Sequence, residues 1–484
     1  MMGTKRWGED LSQVLDFQKP ESRTQRFHVR TLGCKANYYD SQVMAESLRA
    51  QGWAEATGDE ESDLVIVNSC SVTTEADRQS VRMARGEKRR HPGAKIVFTG
   101  CSAEIDPAKY EKLEAITRVV SNREKATFAQ EILGEDGAVS VGESIRYQGF
   151  RSRHPMDRKW ESPDFGSSLP HQERTRATLK IQEGCDAFCT FCIIPYGRGP
   201  ARSLSPEMVI EHVRTAIKRG ALEIVLTGTN LGDYGTDLGE KRPEGFEKLV
   251  KKILTETGIG RLRLSSLDPI EVTPGLCELM QNEQRLCPHF HISAQSASDW
   301  VLKRMKRRTR EQDLIECLER INKISREDGP VYVGMDLIAG FPGESEQEFV
   351  RSTRLLESLP WVRLHVFPYS ERTGTPATRL PESVRIETRK QRASLLSDLS
   401  LVRLEQFVRS VMEAHPEGLK DVLLESPVKG PDGSRDWVLG HTPNYLRVLI
   451  RGEHPANQVV RVKPTGVLVD RDRIEVALLA QMAE

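Results

Sequence analysis

The chain has 484 residues, 29% of them charged and 38% hydrophobic, so it is too long for one compact core and too apolar to be disordered. Its 70 basic and 70 acidic side chains cancel, which excludes a global field for polyanions and leaves only local patches for binding nucleic acid. No apolar run approaches the roughly 20 residues that cross a bilayer, and residues 1–25 lack a secretory pattern, so we expect a cytoplasmic protein without membrane association.

The nine cysteines are the first indication of chemistry. In a reducing compartment, thiols indicate metal binding or catalysis rather than disulfides. Cys277, Cys287 and Cys317 lie in apolar or helical surroundings, and we interpret them as core residues. The remaining six form two sets of three with different spacing.

Residues 26–142 alternate between predicted strands and helices. Strands are predicted at 27–32, 63–68 and 95–99, and helices at 41–51 and 73–90, which indicates an open parallel sheet with helical cover. Cys34, Cys70 and Cys101 each follow one of these strands. Because the carboxyl ends of parallel strands share one edge of a sheet, the three thiols are predicted to converge. The alternative is three separate buried cysteines.

Residues 143–173 are rich in Arg, Ser and Pro and are interpreted as a linker. Residues 174–410 contain six strand–helix units, which favour a partial (βα)6 barrel. Its strands are predicted at 178–182, 223–226, 262–265, 289–293, 331–338 and 363–367. Residues 414–484 contain five short alternating strands typical of a small all-β barrel, at 421–425, 436–441, 446–450, 458–463 and 473–477. The predicted fold class is therefore α/β with a third, all-β domain.

The second set of thiols is the most specific motif in the chain. Cys185, Cys189 and Cys192 are spaced at i, i+4 and i+7 on a loop, so that each can reach one corner of a cubane. A 4Fe–4S cluster held by three cysteines keeps one iron open, and that iron can take the amino and carboxylate groups of S-adenosylmethionine. A structural zinc site would need four ligands, and the segment contains no His. Zinc, and three unligated buried cysteines, are the alternatives.

The spacing of Cys185, Cys189 and Cys192 resembles the signature of the radical S-adenosylmethionine superfamily. The resemblance implies an aromatic contact near the adenine at Phe191. It also implies contacts to the methionine amine from the segment after the second strand and to the nucleoside from the fifth strand. The residues concerned are Thr227, Gly228, Thr229, Asn230, Gly340 and Glu344. An ordinary strand–helix turn is the alternative for each glycine segment.

The two cysteine sets in this order resemble the methylthiotransferase family from about residue 26 to 480. The resemblance implies an N-terminal methylthiotransferase domain whose Cys34, Cys70 and Cys101 hold a second 4Fe–4S cluster, a radical barrel and a C-terminal TRAM module that binds RNA. The motifs most similar to the branch acting on N6-threonylcarbamoyladenosine of tRNA are 33–37 (GCKAN), 68–73 (NSCSVT), 365–377 (HVFPYSERTGTPA) and 440–448 (GHTPNYLRV). Ser69, Ala294 and Ala297 depart from that branch, which usually has Thr, Leu and Gly.

The implied activity is methylthiolation of adenine C2 next to the tRNA anticodon. An unactivated C–H bond is beyond side-chain acid–base catalysis, so a radical route is needed. The implied partners are tRNA, a reductant such as flavodoxin or ferredoxin, and a sulfur source. The alternatives are the same chemistry on isopentenyladenosine in tRNA or on a ribosomal protein aspartate, and a non-catalytic iron–sulfur protein that binds RNA.

Three basic or aromatic patches are candidates for contacting RNA. Arg78, Arg82, Arg85 and Arg89 share one face of the helix after Cys70. A second cluster follows the fourth barrel strand, and the third patch is in the terminal barrel. The second cluster consists of Lys303, Arg304, Lys306, Arg307, Arg308 and Arg310. The third patch consists of Tyr445 and Arg447. The alternative for each helical patch is a solvated face.

Overall fold

The structure is a computed structural model that describes residues 24–134, apart from 59 and 126, and residues 175–483. The predicted linker at 143–173 lies outside the described residues. Within the described ranges, no helix combines the length and the apolar character that a membrane span requires.

The N-terminal unit is a five-stranded parallel sheet with the strand order β2-β1-β3-β4-β5. Its elements are β1 (Arg26–Thr31), α1 (Lys35–Ala50), β2 (Ala54–Glu55), β3 (Leu64–Ser69), α2 (Thr74–Arg90), β4 (Lys95–Gly100), α3 (Cys101–Ile105), α4 (Pro107–Glu111), β5 (Arg118–Val119) and α5 (Phe128–Ile132). Strands β3 and β4 are buried on both faces, which explains their continuous apolar sequences. The predicted open parallel α/β domain is confirmed.

Helix α1 begins six residues earlier than its apolar pattern predicts, at Lys35 instead of Ser41. Its first turns carry polar residues, among them Asn37 and Asp40, which are buried nevertheless. A pattern built on apolar periodicity misses a turn whose buried side chains are polar. The early start places both of these residues directly behind Cys34.

The central unit consists of parallel strands followed by helices. Its elements are β6 (Arg176–Lys180), β7 (Gln182–Glu183), α6 (Ile194–Arg198), β8 (Arg202–Ser203), α7 (Pro206–Lys218), β9 (Glu223–Thr227), α8 (Glu244–Glu256), β10 (Arg261–Leu264), β11 (Ser266–Leu267), α9 (Pro274–Asn282), β12 (His289–Gln295), α10 (Asp299–Arg304), α11 (Glu311–Asn322), β13 (Tyr332–Ala339), α12 (Glu346–Ser358), β14 (Arg363–Pro368) and α13 (Ile386–Ala414). Five 3-10 helices complete the described elements: Asn122–Glu124, Leu231–Asp233, Thr236–Leu238, Pro269–Glu271 and Pro376–Arg379.

Strands β7 and β8 form a short antiparallel pair. The other strands form two parallel sheets, β10-β9-β6 and β11-β12-β13-β14, which Ser265 joins between β10 and β11. They form six barrel positions in the order of the chain, and β14 and β6 make no ladder with each other in the described part of the chain. The arc is therefore open, as the predicted (βα)6 barrel requires. One residue in two along each strand packs against the outer helices, and the others face the lumen of the arc.

The C-terminal unit is a closed five-stranded barrel with the strand order β15-β16-β17-β19-β18. The strands are β15 (Leu419–Val428), β16 (Trp437–His441), β17 (Arg447–Arg451), β18 (Val459–Asp470) and β19 (Glu475–Met482). This barrel covers the amino ends of the central strands: Arg176 pairs with Glu425 at 2.8 Å, and Arg363 donates to the carbonyl of Ile474 at 3.2 Å. We propose domain boundaries of 26–142, 174–410 and 414–484 around the three units.

A buried carboxylate joins the N-terminal sheet to the central arc. Asp40 on α1 accepts from Lys125 at 3.0 Å, from Arg198 at 3.1 Å, and from Lys180 on β6. Burial alone would raise the pKa of Asp40, but the three cations hold it well below its usual range. Because Lys180 and Arg198 belong to the central unit, this one charge fixes the position of α1 against the arc.

The variant Asp40→Asn should destabilise the protein, because it leaves buried Lys125 without the carboxylate that pairs with it and leaves Lys180 and Arg198 with Glu183 alone. We expect a loss of about 3–5 kcal/mol in the free energy of unfolding at neutral pH, seen as a lower urea midpoint. Asp398→Asn, on the exposed side of α13, is the matched control.

The stabilisation by Asp40 is present above the pKa of an unfolded aspartate, about 3.9, and is lost as the pH falls below it. The wild type should therefore lose its advantage over the variant only below about pH 4. Equal urea midpoints at pH 7 would contradict this role.

Candidate functional site

The first three thiols lie at the carboxyl ends of adjacent strands. Cys34 follows β1, Cys70 follows β3 and Cys101 follows β4, and these strands are neighbours in the sheet. Gly33 has φ +97°, and a methyl group there would lie 2.7 Å from the Cys70 sulfur, so only glycine fits between the two cysteines. Burial, then Cys101 and, more weakly, Cys34, raise the pKa of the Cys70 thiol to about 12. The three thiols are therefore close enough to act on one another.

Side-chain amides hold these three strand ends together. Asn37 Nδ2 donates to the carbonyls of Leu32 and Ser69, both at 2.8 Å, and Asn68 Nδ2 donates to the carbonyl of Asn37 at 2.8 Å. Ser102 Oγ donates to the carbonyl of Cys70 at 2.9 Å. These bonds satisfy buried polar groups and fix the loops that carry the thiols.

The second three thiols surround one cavity at the carboxyl ends of the central strands. Cys185, Cys189 and Cys192 all line this cavity of about 150 Å³. Gly184 has φ +75° and packs against the Pro200 carbonyl, which sets the direction of the loop before Cys185. Burial, with neighbouring thiols as the next cause, raises the pKa of Cys185 and of Cys192 to about 12.

The two sets of thiols lie next to each other. Helix α6 packs against Cys101: a methyl group on Gly197 would be 3.4 Å from the Cys101 Cβ. Asn122 Nδ2 donates to the carbonyl of Gly197 at 2.6 Å and lies 3.7 Å from the Cys101 sulfur. Cys101 is also among the groups that raise the pKa of Cys192. The carboxyl ends of the two sheets thus face one another.

Arg198 lies between the two sets, with 2% of its surface exposed. It bonds to Glu183, just before the Gly184–Cys185 turn, and to Asn37 and Asp40 behind Cys34. Burial opposes its charge, but Cys101, Asp40 and Glu183 raise the pKa of Arg198 well above its ordinary value. The Arg198 guanidinium is therefore a permanent positive charge between the two sets of cysteines, each of which would be anionic as thiolates.

The arrangement suits clusters of several irons. In the described residues, no three His, Cys, Asp or Glu side chains are placed to hold a single metal ion. A cubane does not require three side chains to converge on one metal ion, because each thiolate binds a different iron. Thr229 Oγ1 lines the cavity, is buried and lacks a hydrogen-bond partner among the described residues. The cavity thus offers three thiols and an unsatisfied hydroxyl, which fits a cluster with a polar organic ligand.

The residues predicted to contact S-adenosylmethionine divide into two groups. Phe191, Thr229 and Asn230 line the cavity, and Thr227 and Gly228 precede them at the end of β9. Gly340 and Glu344 are absent from the residues that line this cavity in the described structure. Instead Glu344 accepts from the Gly340 amide at 2.6 Å and pairs with Arg392 at 2.7 Å, so it closes the turn after β13.

The cavity also contains residues that the sequence motifs miss. Arg307 lies 3.7 Å from the Cys189 sulfur and pairs with Asp268, and both line the cavity. Burial and the Asp268 carboxylate raise the pKa of the adjacent Glu271 to about 8, which leaves that side chain neutral at pH 7. Gln295 lines the cavity with φ +64°, a strained value for a residue with a side chain. Asp268 and Arg307 are far apart in the sequence, so spacing gives no signal for their pairing.

The predicted RNA patches differ in accessibility. Arg78 and Arg82 on α2 are 71% and 66% exposed, and Arg85 and Arg89 are exposed as well. The second patch is divided, because Lys306 is exposed whereas Arg307 is 8% exposed and belongs to the cavity.

Two further residues of the predicted RNA patches are held by other parts of the protein. Arg308 pairs with Asp233, and Arg447 pairs with Glu475.

Tyr445 of the predicted third patch lies between the terminal barrel and the central arc. Its ring does not lie on an open surface but packs at the base of the lumen, where the Arg263 guanidinium lies 4.9 Å from its centroid and His289 4.5 Å. The turn before β17 carries Tyr445 with φ +66° and directs it toward the central strands. It therefore contributes to the contact between two domains.

Comparison with known proteins gives two matching families. Residues 26–121 match the model of an uncharacterized protein family, UPF0004, and residues 179–356 match the radical SAM superfamily. Among solved structures, a radical S-adenosylmethionine methyltransferase, TsrM, from Kitasatospora setae aligns with a TM-score of 0.49 and 12% identity, covering 73% of this chain and 75% of its own.

Curated relatives match over most of their length. A threonylcarbamoyladenosine tRNA methylthiotransferase of Bacillus subtilis (strain 168) is 32% identical over 450 residues, covering 91% of this chain and 93% of its own. One of the same name from Aquifex aeolicus (strain VF5) is 34% identical, covering 78% and 88%. A tRNA-2-methylthio-N(6)-dimethylallyladenosine synthase of Symbiobacterium thermophilum is 30% identical, covering 92% and 93%.

Arg307 and Asp268 should shift the reduction potential of a cluster bound at Cys189 in opposite directions. A nearby positive charge stabilises the more negative, reduced cluster. Arg307→Met should therefore make the midpoint potential more negative, by the order of 60 mV, and Asp268→Asn should make it less negative.

The measurement is a redox titration of the reconstituted protein, followed by electron paramagnetic resonance. Cys70→Ala in the background of each variant isolates the barrel cluster, and Arg351→Met on the exposed face of α12 is the control. Shifts of the same sign in both variants would rule out an electrostatic effect.

Proposed function

The chain belongs to the radical S-adenosylmethionine methylthiotransferases, and from this membership we propose that it methylthiolates C2 of the adenine in N6-threonylcarbamoyladenosine, next to the anticodon of tRNA. It is a transferase that uses two 4Fe–4S clusters and S-adenosylmethionine. The observation that carries the proposal is that the two sets of three thiols lie next to each other, with Gly197 of α6 against Cys101.

We assign one cluster to each set. Cys185, Cys189 and Cys192 would hold the cluster with an open iron, and Cys34, Cys70 and Cys101 the auxiliary cluster. Bound there, the first cluster would supply the electron for reductive cleavage of S-adenosylmethionine, and the auxiliary cluster would supply the sulfur. A second S-adenosylmethionine would supply the methyl group.

The protein contributes position and exclusion of water. A primary carbon radical attacks whatever lies closest, so the nucleoside has to be held and solvent kept out. Phe191 packs edge-on against Phe341, with 6.3 Å between ring centroids, and gives the cavity an apolar wall. Thr229 and Asn230 offer polar groups to the methionine end of the cofactor, as the resemblance implies.

The choice of nucleoside rests on the relatives. The named tRNA methylthiotransferases of Bacillus subtilis and Aquifex aeolicus act, by their names, on threonylcarbamoyladenosine. The relative from Symbiobacterium thermophilum is named for dimethylallyladenosine, and this makes an isopentenyl-type substrate the second candidate. Analysis of tRNA nucleosides from a deletion strain separates these two and also tests the ribosomal protein aspartate.

The reaction needs further partners, which we propose by chemical class. A low-potential donor such as flavodoxin or ferredoxin would reduce the clusters, and a sulfur source would restore the auxiliary one. We propose a cytoplasmic location, which is consistent with a tRNA substrate. A non-catalytic iron–sulfur protein that binds RNA would form no 5′-deoxyadenosine under reduction.

Single alanine variants should separate the roles of the two thiol sets. Cys185→Ala should abolish formation of 5′-deoxyadenosine, because it removes a ligand of the cluster that binds S-adenosylmethionine. Cys70→Ala should retain that cleavage but form no methylthio product. Both products are measured by mass spectrometry after anaerobic reconstitution.

Cys317→Ala is the control, because Cys317 is buried like Cys70 but lies in the hydrophobic core of the arc. Loss of cleavage and of product to the same extent in Cys70→Ala would contradict the division of roles.

The arginine stripe on α2 should contribute to tRNA affinity through phosphates. Changing Arg78, Arg82, Arg85 and Arg89 together to Gln should weaken binding and reduce the slope of log K against log salt by about 0.7–0.9 for each phosphate that is no longer neutralised. The double variant R351Q/R354Q, which also removes exposed arginines, is the control. An unchanged slope would place the RNA on another surface.

A further inference from the structure

The lumen of the central arc has polar walls. Along β14, Leu364 and Val366 pack into the core beneath the outer helices, so His365 and Phe367 face the lumen. The same alternation directs His291 on β12 and Asp336 on β13 inward. An arc of this size buries such groups only if it has a polar occupant or pairs them with one another.

Most charges in the lumen are already paired. Arg263 bonds Glu223 at 2.6 Å, Arg176 bonds Glu425 at 2.8 Å, and His291 Nε2 lies 2.9 Å from Asp336 Oδ1. The first two pairs lie at the base of the lumen, where the C-terminal barrel covers it. These pairs therefore need no ligand.

Lys35 is the exception. It follows Cys34 at the start of α1, and its Nζ reaches into the arc to lie 3.5 Å from Ser265 Oγ. Its side chain stays accessible, although Arg176, Arg263, Glu223 and Tyr445 face it across the lumen. Among the described residues, no carboxylate lies within 4.0 Å of this ammonium group, and its one hydrogen bond is to a neutral hydroxyl.

An ammonium group in this position favours an anionic ligand. It is exposed, so a ligand in the lumen can reach it, and the guanidinium groups of Arg176 and Arg263 stand opposite. An anion entering the lumen would form a charge-assisted hydrogen bond with Lys35 without displacing another partner. His365 faces the same space. Burial lowers the pKa of His365 to about 4, with Arg363, His291 and Lys35 as further causes, so its side chain is a neutral polar group at pH 7.

An aromatic surface accompanies the cation. Phe367 lies two residues beyond His365 on the same face of β14, nearer the mouth of the lumen, and 47% of its surface is exposed. An exposed phenylalanine at the carboxyl end of a barrel strand offers a flat apolar surface on which a base can stack. The lumen thus combines a stacking surface for a base with a cation for an anionic substituent.

We propose that Lys35 binds the carboxylate on the N6 substituent of the acceptor adenosine, and so selects a carboxylated nucleoside over one with an apolar N6 group. The inference rests on the proposed function and identifies the residue that would set its substrate preference. Lys35 acts here as a specificity residue and takes no part in the bond-making steps.

The test compares two anticodon stem-loops that differ only in charge. One carries N6-threonylcarbamoyladenosine, and in the other the threonyl carboxylate is converted to its neutral methyl amide. Dissociation constants are measured with the reconstituted protein without reductant, at one fixed salt concentration, and kcat/KM is measured with reductant. The variants are Lys35→Gln, Lys35→Arg and the surface control Lys248→Gln on α8.

We expect the wild type to bind the carboxylated stem-loop about 10- to 100-fold more tightly than the amide, the range of one charged hydrogen bond. Lys35→Gln should lose this preference by weakening only the carboxylated form, while Lys35→Arg keeps most of it. Phe367→Ala should weaken both forms equally, because stacking does not depend on the carboxylate.

Two outcomes would overturn the inference alone. In the first, Lys35→Gln weakens both stem-loops equally, which would indicate contact with an RNA phosphate or, if iron content also falls, support of the neighbouring cluster. In the second, the variant keeps the wild-type preference. If the wild type instead forms no methylthio product on the carboxylated stem-loop, the proposed function fails and the inference fails with it.

Discussion

The architecture depends on a carboxylate that is buried where two parallel sheets meet. Asp40 belongs to the N-terminal sheet, while Lys180 and Arg198, two of its three cations, belong to the central arc. Charges buried at this depth stay paired or the structure rearranges, so the interface allows little sliding. The same cluster of charges places Arg198 between Cys101 and the turn that carries Cys185. A single electrostatic constraint therefore sets both the docking of the domains and the relation between the two thiol sets.

The sequence predicts the parts of the site that follow from chain direction. Cys34, Cys70 and Cys101 come after strands of one parallel sheet, and chain direction alone brings their positions to one edge. The Cys185–Cys192 spacing is local, so the motif can be recognised in the sequence without any knowledge of tertiary contacts. The six strand positions of the arc are predicted to within a few residues, because each strand has an apolar face against the helices.

The rest depends on contacts between distant segments. Asp268 and Arg307 meet beside Cys189 from different loops, and neither belongs to a recognisable motif. Arg307 and Tyr445 are predicted as RNA contacts because basic and aromatic residues suit that role, yet the fold buries Arg307 and directs Tyr445 inward. Residue type alone does not reveal which face of a turn is covered by another domain. Lys35 shows the same effect in reverse, since its position beside Cys34 gives no sign that it reaches Ser265.

The C-terminal barrel also limits the routes by which small molecules can reach the lumen. It covers the amino ends of the central strands through Glu425, Ile474 and the Tyr445 ring, so the lumen is closed at that end. A ligand of the lumen would therefore enter from the thiol end or along the gap between β14 and β6.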